Sequence, residues 1–278
     1  MPNPYLPRET LDYIVDFIHD KPEALKECCL VSKSWVPRTR RHLFAHIEFH
    51  SAEDFKSWKK AFPDPSSSPA HHTHSLFVRH ARVVMMADAE AGGLIRTFSR
   101  VVWLGLGLGF SDNKLTLSDL LEEISLVPFY NFSPILKSLR VDSILLPCSQ
   151  IFNLVRSFPL LEDLTLTGYD ELWDAENDPH GSQTIVPSDS PAFTGSLDLA
   201  GLGGVWDIVH RLLDLPSGLH FRRLNLLCYD DGDLRWIVKL VVACSNTLEY
   251  LDVAYEPDGA SHSASPLDQR FTWAMIRR

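Results

Sequence analysis

A six-residue pattern of apolar positions recurs along the second half of the chain and constrains the fold more than any other feature of the sequence. Each copy reads apolar-x-x-Leu-x-apolar, except that the third begins with Thr194. The central leucines of the five copies are Leu139, Leu164, Leu197, Leu224 and Leu251. The steps between them are 25, 33, 27 and 27 residues. Such short apolar segments are typical of strands, and further copies are predicted at 101–106 and, more weakly, at 76–78.

Helical patterns lie between these strands. Apolar residues spaced i, i+3, i+4 and i+7 occur at 151–158, 205–213 and 234–242. A strand and a helix in every repeat of this length resemble leucine-rich repeats, whose units stack because none can bury its apolar side alone. The resemblance implies a curved α/β solenoid with its strands on the concave side. A doubly wound sheet also alternates strand and helix, but the recurring Leu-x-Leu disfavours it.

The first fifty residues carry more apolar side chains than so short a stretch can bury by itself. Pro7 and Glu9 suit the first turn of a helix. The N–H group that proline lacks would have no intrahelical partner in this turn, and glutamate interacts favourably with the positive end of the helix. Leu11, Val15 and Ile18 belong to an apolar stripe that follows. Tyr13 and Phe17 lie outside this stripe, so the helix is apolar on more than one side. A partner surface accounts for the excess.

The segment from Leu6 to Phe49 resembles an F-box. It carries Leu-Pro-x-Glu at 6–9, Leu-Val-Ser-Lys-x-Trp at 30–35 and a closing Leu-Phe at 43–44, with spaced aliphatic residues between them. The run 38–44 is most similar to fungal members of the family. The resemblance implies that this segment docks on the Skp-type adaptor of a cullin–RING ubiquitin ligase. The rest of the chain then selects a protein substrate.

The predicted fold class is therefore α + α/β, with an N-terminal helical F-box followed by a leucine-rich-repeat-like α/β solenoid. The predicted divisions are the F-box at 1–48, a hinge at 49–75 and the irregular repeats at 76–278, with a long acidic loop at 173–191. The resemblance assigns adaptor binding to Leu6, Pro7, Ile14, Leu30, Val31 and Trp35.

Target binding is predicted on strand residues that alternate with the inward leucines. Among these we favour Arg222, Arg223 and Tyr250, because arginine and tyrosine are enriched at binding hot spots. The acidic loop at 173–191 is the competing surface. The expected function is a substrate-recognition subunit of a Skp–cullin–F-box ubiquitin ligase. The alternative is a ligase-independent interaction scaffold of leucine-rich-repeat type.

Composition argues against several other classes of protein. The formal net charge of −10 disfavours a nucleic-acid binder, and no window has the roughly eighteen uninterrupted apolar residues of a membrane span. Asp12 and Asp16 interrupt any signal-peptide pattern. The five scattered cysteines fit reduced thiols, so we expect a cytoplasmic or nuclear protein.

Motifs that resemble catalytic or metal sites are incomplete. Gly105, Gly107 and Gly109 follow a strand, but Phe110 or Asp112 stands where a dinucleotide fingerprint needs its third glycine, so we interpret this run as a turn. His71, His72 and His74 lack the cysteine or carboxylate motif that would complete a closed metal site. We therefore expect no enzymatic activity, no cofactor and no metal. An enzyme built on the glycine-rich turns is the least favoured hypothesis.

Overall fold

The recurring leucines face the buried side of a single β-sheet. Leu139, Leu164, Leu197 and Leu224 have exposed fractions of 0% and lie opposite one another in the strand register. Leu251 continues the row but is half-buried. The predicted inward placement of Leu139, Leu164 and Leu224 is thus confirmed. The computed structural model describes residues 7–79, 81, 91–107, 126–144, 148–169, 191, 193–200, 205–228, 231–255 and 269–274.

The strands cross the sheet in the same order as they occur in the chain. They are β1 (His46–Phe49), β2 (Ser75–Val78), β3 (Trp103–Gly107), β4 (Ser138–Ile144), β5 (Asp163–Tyr169), β6 (Ser196–Ala200), β7 (Arg223–Cys228), β8 (Tyr250–Tyr255) and β9 (Gln269–Ala274). β1 to β8 are parallel, and β9 pairs antiparallel with β8. Because parallel crossovers are right-handed, an order without reversal places the connections on one side of the sheet.

The helices lie in the N-terminal segment and in the connections between strands. They are α1 (Arg8–Phe17), α2 (Pro22–Val31), α3 (Val36–Leu43), α4 (Ala52–Ala61), α5 (Ala91–Ile95), α6 (Cys148–Arg156), α7 (Val205–Leu213) and α8 (Asp231–Ala243), with 3₁₀ helices at Pro69–His72 and Val127–Phe129. Phe55 and Trp58 of α4, Leu154 of α6 and Ile208 of α7 belong to the same hydrophobic cluster as the strand leucines. The core therefore lies between the helices and one side of the sheet.

The opposite side of the sheet, which we call the open face, carries mainly polar residues. Its central row is formed by Glu48, Phe77, Gly105, Arg140, Thr165, Asp198, Asn225 and Asp252. All of these except Gly105 are half-exposed or exposed. Since successive strand residues point to opposite sides, burying the leucines presents this row to solvent.

A repeated hydrogen-bond arrangement aligns the ends at which the strands begin. The Ala45 carbonyl accepts from the N–H groups of His74 and Ser75, at 2.8 and 3.0 Å. The His74 carbonyl accepts in turn from those of Val102 and Trp103, at 2.8 and 3.1 Å. The same double acceptance recurs at the carbonyls of Val102, Lys137, Gly195 and Arg222. We call this row of residues the starting edge of the sheet.

The predicted fold class is wrong. The described residues form an α/β fold around one continuous sheet, not a helical F-box followed by a solenoid. The N-terminal helices run directly into this sheet, since β1 begins three residues after α3 ends. The Phe44 and Phe49 rings each pack edge-on against Trp58, at 5.8 Å between ring centroids. This aromatic packing joins the end of the N-terminal segment to the main core.

The proposed division of the chain at residues 48 and 75 stays a prediction. β1 spans the first of these boundaries. The segment 49–75, which was expected to be a hinge, contains α4, and Phe55 and Trp58 of that helix have exposed fractions of 1% and 8%. The acidic loop at 173–191 lies outside the described residues except for Pro191.

The apolar pattern of α8 faces the core only in part. Of the residues spaced along 234–242, Ile237 is buried and Val241 packs against the core. The exposed fractions of Leu234, Val238 and Val242 are 45%, 61% and 65%, whereas Leu240 and Cys244 are buried. The Trp236 ring packs edge-on against the His210 ring of α7, at 5.7 Å between centroids.

Two shorter segments also differ from expectation. Gly105 and Gly107 lie inside β3 rather than in a turn. A Cβ atom at Gly107 would lie 2.2 Å from the Arg79 carbonyl oxygen, so this position requires glycine for close approach to backbone. The stretch that ends at 271–278 has a helix-like sequence pattern, but Gln269–Ala274 forms β9, which pairs antiparallel with β8.

We expect Leu224→Ala to lower the free energy of unfolding by about 2–5 kcal/mol, because it leaves a cavity in the buried leucine row. Leu227→Ala is the matched control, since Leu227 lies in the same strand but is half-buried on the open face. Urea unfolding of the two variants and the unaltered chain measures the difference. Equal losses at both positions would contradict the assigned orientation of β7.

Candidate functional site

Large apolar side chains are exposed on the first two helices. The exposed fractions are 71% for Tyr13, 37% for Ile14, 73% for Phe17, 87% for Leu30 and 70% for Val31. Among the residues that the structure describes, these are five of the eleven exposed large apolar side chains. We call them the N-terminal apolar residues. Isolated exposed apolar residues are ordinary, but such a concentration in two short helices is typical of an interaction site.

The predicted adaptor-binding residues occupy different environments. Ile14, Leu30 and Val31 are among the N-terminal apolar residues, and Pro7 is exposed at the start of α1. Trp35 is half-buried immediately before α3. Leu6 lies outside the described residues. Tyr13 and Phe17 were not assigned to adaptor binding from the sequence, although the second apolar side of α1 was a signal that could have identified them.

An acidic side chain of α1 holds this helix against α3. The Arg38 Nε atom donates to the Asp16 carboxylate at 2.6 Å, and its guanidinium makes a second hydrogen bond to the other carboxylate oxygen. The His42 Nε2 atom also donates to this carboxylate, at 2.7 Å. The hydrogen bonds from Arg38 and, to a smaller extent, from His42 lower the pKa of Asp16 to about 2. This ion pair therefore orients the helix that carries Tyr13 and Phe17.

Polar side chains on the open face are bonded to one another across the strands. Thr167 donates to the Asp142 carboxylate at 2.6 Å. Asp198 accepts a hydrogen bond from Thr165 at 3.2 Å and another from the Asn225 amide. In cross-strand pairs of this kind, each side chain restrains the conformation of its partner. The open face thus presents ordered donors and acceptors over four strands, β4 to β7.

The predicted target-binding residues lie close together at one end of the open face. Arg223 lies directly opposite Tyr250 in the register of β7 and β8. Arg222 is exposed one residue before β7, on the starting edge, and its Nε atom lies 3.9 Å from Glu249 Oε1. The structure therefore brings all three side chains to neighbouring positions, but Arg222 is an edge residue rather than a strand-face residue.

A notch at the other end of the open face has an aromatic wall that sequence analysis did not single out. The rings of Phe77 and Trp103 lie 6.2 Å apart and line a cavity of about 450 Å³ together with Arg140 and Asp142. A Cβ atom at Gly105 would lie 2.3 Å from Phe77 and 2.6 Å from Trp103, so glycine leaves the room that these rings occupy. The alternating glycines of β3 were the available signal.

The described residues do not bring together a cluster of metal ligands. Within these ranges, no group of three or more His, Cys, Asp or Glu side chains is arranged to hold a metal ion. Burial raises the pKa of Cys244 to about 11, so this thiol is a poor nucleophile. The geometry is suited to binding through surfaces, with the apolar and polar surfaces on different elements.

Replacing Asp16 by Asn should destabilise the fold at neutral pH, because it removes the ion pair between α1 and α3. Since the folded-state pKa is lowered, the contribution of Asp16 is full above its unfolded pKa of about 3.9 and is lost as pH falls through about 2. The difference in thermal midpoint between the two proteins should therefore shrink from pH 6 towards about pH 2.

Asp20→Asn is the matched control, since Asp20 is exposed shortly after α1. A thermal midpoint for Asp16→Asn that matches the control at neutral pH would contradict a structural role of this pair.

No helix in the described part of the chain has both the length and the apolar character to cross a membrane. No family model matches the chain, and no curated protein or solved structure is significantly similar to it. A proposal for its function therefore depends on the residues of the chain itself.

Proposed function

We propose that this chain is the substrate-recognition subunit of a Skp–cullin–F-box ubiquitin ligase. In this proposal the segment with α1 to α3 binds the Skp-type adaptor and, through it, the cullin–RING ligase. The sheet presents a surface that holds a protein target. The chain then acts by proximity, because a bound target has a high effective concentration near the ubiquitin carrier.

The observation that carries this proposal is the exposure of Leu30 and Val31. These two residues belong to the Leu-Val-Ser-Lys-x-Trp motif on which the resemblance to an F-box depends, and they are 87% and 70% exposed. An aliphatic side chain of this size contributes about 1.5–3 kcal/mol when it passes from water into a packed interface. The same helices bury Val15 and Leu25 almost completely. The internal packing of the segment therefore leaves the motif residues free for a partner.

The target surface is proposed on the end of the open face that carries Arg223 and Tyr250, with Arg222 beside it. Arg223 is exposed and Tyr250 is half-buried. Tyrosine with arginine is a common combination at interface hot spots, because both combine a large contact area with donors of hydrogen bonds. This surface lies on β7 and β8, whereas α1 to α3 precede β1 at the other end of the strand order. The adaptor and a target can therefore bind at the same time.

Val31→Glu should abolish binding of the Skp-type adaptor, because an unpaired carboxylate would be buried at an apolar interface. Val238→Glu is the matched control, since Val238 is a valine that is 61% exposed on another helix. Calorimetric titration of the purified full chain with the adaptor measures both. Adaptor binding by Val31→Glu that equals that of the control would contradict the proposal.

Removal of residues 1–48 is a poorer test of adaptor binding than a single substitution. It would remove three of the four residues of β1, which pairs with β2 along its whole length. Loss of binding could then follow from damage to the sheet. Co-purification of the adaptor with the intact chain separates the ligase subunit from the alternative, a ligase-independent interaction scaffold, which would carry a target but no adaptor.

Reversing the charges in Arg222→Glu/Arg223→Glu should reduce capture of protein targets about tenfold or more, because hot-spot arginines each contribute over 1 kcal/mol. Arg96→Glu is the control, since Arg96 is exposed and lies beyond α5, outside the open face. Quantitative mass spectrometry of proteins bound to each variant, with the ligase inhibited, gives the comparison. Unchanged capture by the double variant, with loss after deletion of 173–191, would favour the acidic loop instead.

A further inference from the structure

A cavity at the starting edge of the sheet is lined by basic residues alone. Its volume is about 420 Å³, and its lining residues are Arg41, His71, His72, His74 and Arg100. They come from the last turn of α3, from the 3₁₀ helix, from the residue before β2 and from the turn before β3. We call this cavity the basic pocket. Its volume lies within the roughly 300–1,000 Å³ of small-molecule sites.

Buried hydrogen bonds hold the segments that form the basic pocket. The Thr73 hydroxyl, which is fully buried, donates to the Phe44 carbonyl at 2.9 Å and so ties the 3₁₀ helix to the end of α3. The fully buried Ser133 hydroxyl lies 3.1 Å from the Ser99 carbonyl oxygen and 2.7 Å from that of Val101. These carbonyls flank Arg100 on both sides. The backbone around the pocket is therefore preorganised.

The two arginines of the basic pocket have no acidic partner among the described residues. Within the described part of the chain, neither Arg41 nor Arg100 makes an ion pair, although both are exposed. The His71 and His72 rings lie only 3.9 Å apart between centroids. Their charges repel each other when both imidazoles are protonated. The formal net charge of the chain is −10, so this local excess of positive charge opposes the overall balance.

We propose that the basic pocket binds a phosphate group carried by a small phosphate ester or by a phosphorylated side chain. Two guanidinium groups supply planar pairs of donors that match phosphate oxygens. The imidazoles supply further donors when they are protonated. The His71 Nδ1 atom lies 2.8 Å from the Ser68 carbonyl oxygen and donates to it, so its Nε2 atom is the one available to a ligand.

Protonation of the histidines couples the affinity of this site to pH. Burial lowers the pKa of His72, and the positive charges of His71, Arg41, Arg40 and Arg100 lower it further. A bound anion opposes both effects, since it favours the charged imidazole. Anion affinity should therefore rise as pH falls through the histidine range. Sulfate is the useful probe here, because it does not itself titrate in this range, whereas phosphate does.

The proposal is tested on the full chain by calorimetric titration with inorganic phosphate and with sulfate at low ionic strength. Saturable binding at one site per chain is expected, with tighter binding of sulfate at about pH 6 than at about pH 8. Arg41→Gln and Arg100→Gln should each weaken phosphate binding about tenfold. Arg96→Gln, which removes an exposed arginine outside the pocket lining, should leave it unchanged.

Two further variants keep the result interpretable. Arg41→Lys retains the charge and should keep part of the affinity, so a simple loss of folding is distinguished from loss of a contact. His71→Gln/His72→Gln should flatten the pH dependence of sulfate binding. Free O-phosphoserine and a peptide containing phosphoserine identify the source, since tighter binding of the peptide indicates a phosphorylated chain. Absence of saturable anion binding, or equal affinities for Arg41→Gln, Arg100→Gln and Arg96→Gln, would overturn the proposal.

Discussion

Leucine lies opposite leucine across the parallel strands from β2 to β8, and the rest of the structure depends on this row. A second buried row runs beside it, and in that row Val78, Leu106, Val141 and Leu166 have exposed fractions of 0%. Because side chains alternate along a strand, a shift of one residue would turn polar residues into the core. The two rows therefore determine the strand register. They also determine, on the opposite side, which residues form the open face.

The starting edge positions several residues of the candidate sites. Six carbonyls there each accept two N–H groups from the start of the next strand, so side chains just before the strands are held in a line. The line is basic at His74, where it meets Arg41 and Arg100. Farther along it alternates in charge, with Lys137 and Glu162 joined at 2.7 Å. One repeated backbone arrangement thus supports the basic pocket at one end and Arg222 at the other.

The candidate surfaces differ in the chemical character of the groups that they expose. The N-terminal helices bury Val15 and Leu25 but leave Leu30 and Val31 in water, so they gain from an apolar partner. The open face has satisfied many of its polar groups internally, as at Asp198, and presents an ordered polar surface. The basic pocket holds charges that the described residues do not neutralise.

Local pattern was sufficient for some of these features and insufficient for others. The spacing of Leu139, Leu164 and Leu224 predicted their burial, because the alternation along a strand is a property of the backbone. The motif at 30–35 singled out Leu30 and Val31 before their exposure was known. The pattern at 234–242 did not show which of its apolar residues would be exposed, because packing against neighbouring elements, such as that of Trp236 on His210, is not local. The prediction of the fold class was wrong for a related reason. Phe44, Phe49 and Trp58 pack together and join segments that were expected to be separate.

By itself, the sequence determined which residues favour strands, which leucines face inward and which apolar residues the N-terminal segment has in excess. These properties follow from periodicities of two and 3.6 residues and from the balance of apolar surface in a short segment. Tertiary structure alone decided that β1 to β9 form one sheet, that Phe77 and Trp103 form a notch and that the basic pocket exists. His71, His72 and His74 were visible as a cluster, but Arg41 and Arg100 are distant in sequence from them and from each other. Only the alignment of β2 and β3 with the end of α3 brings these charges to one cavity.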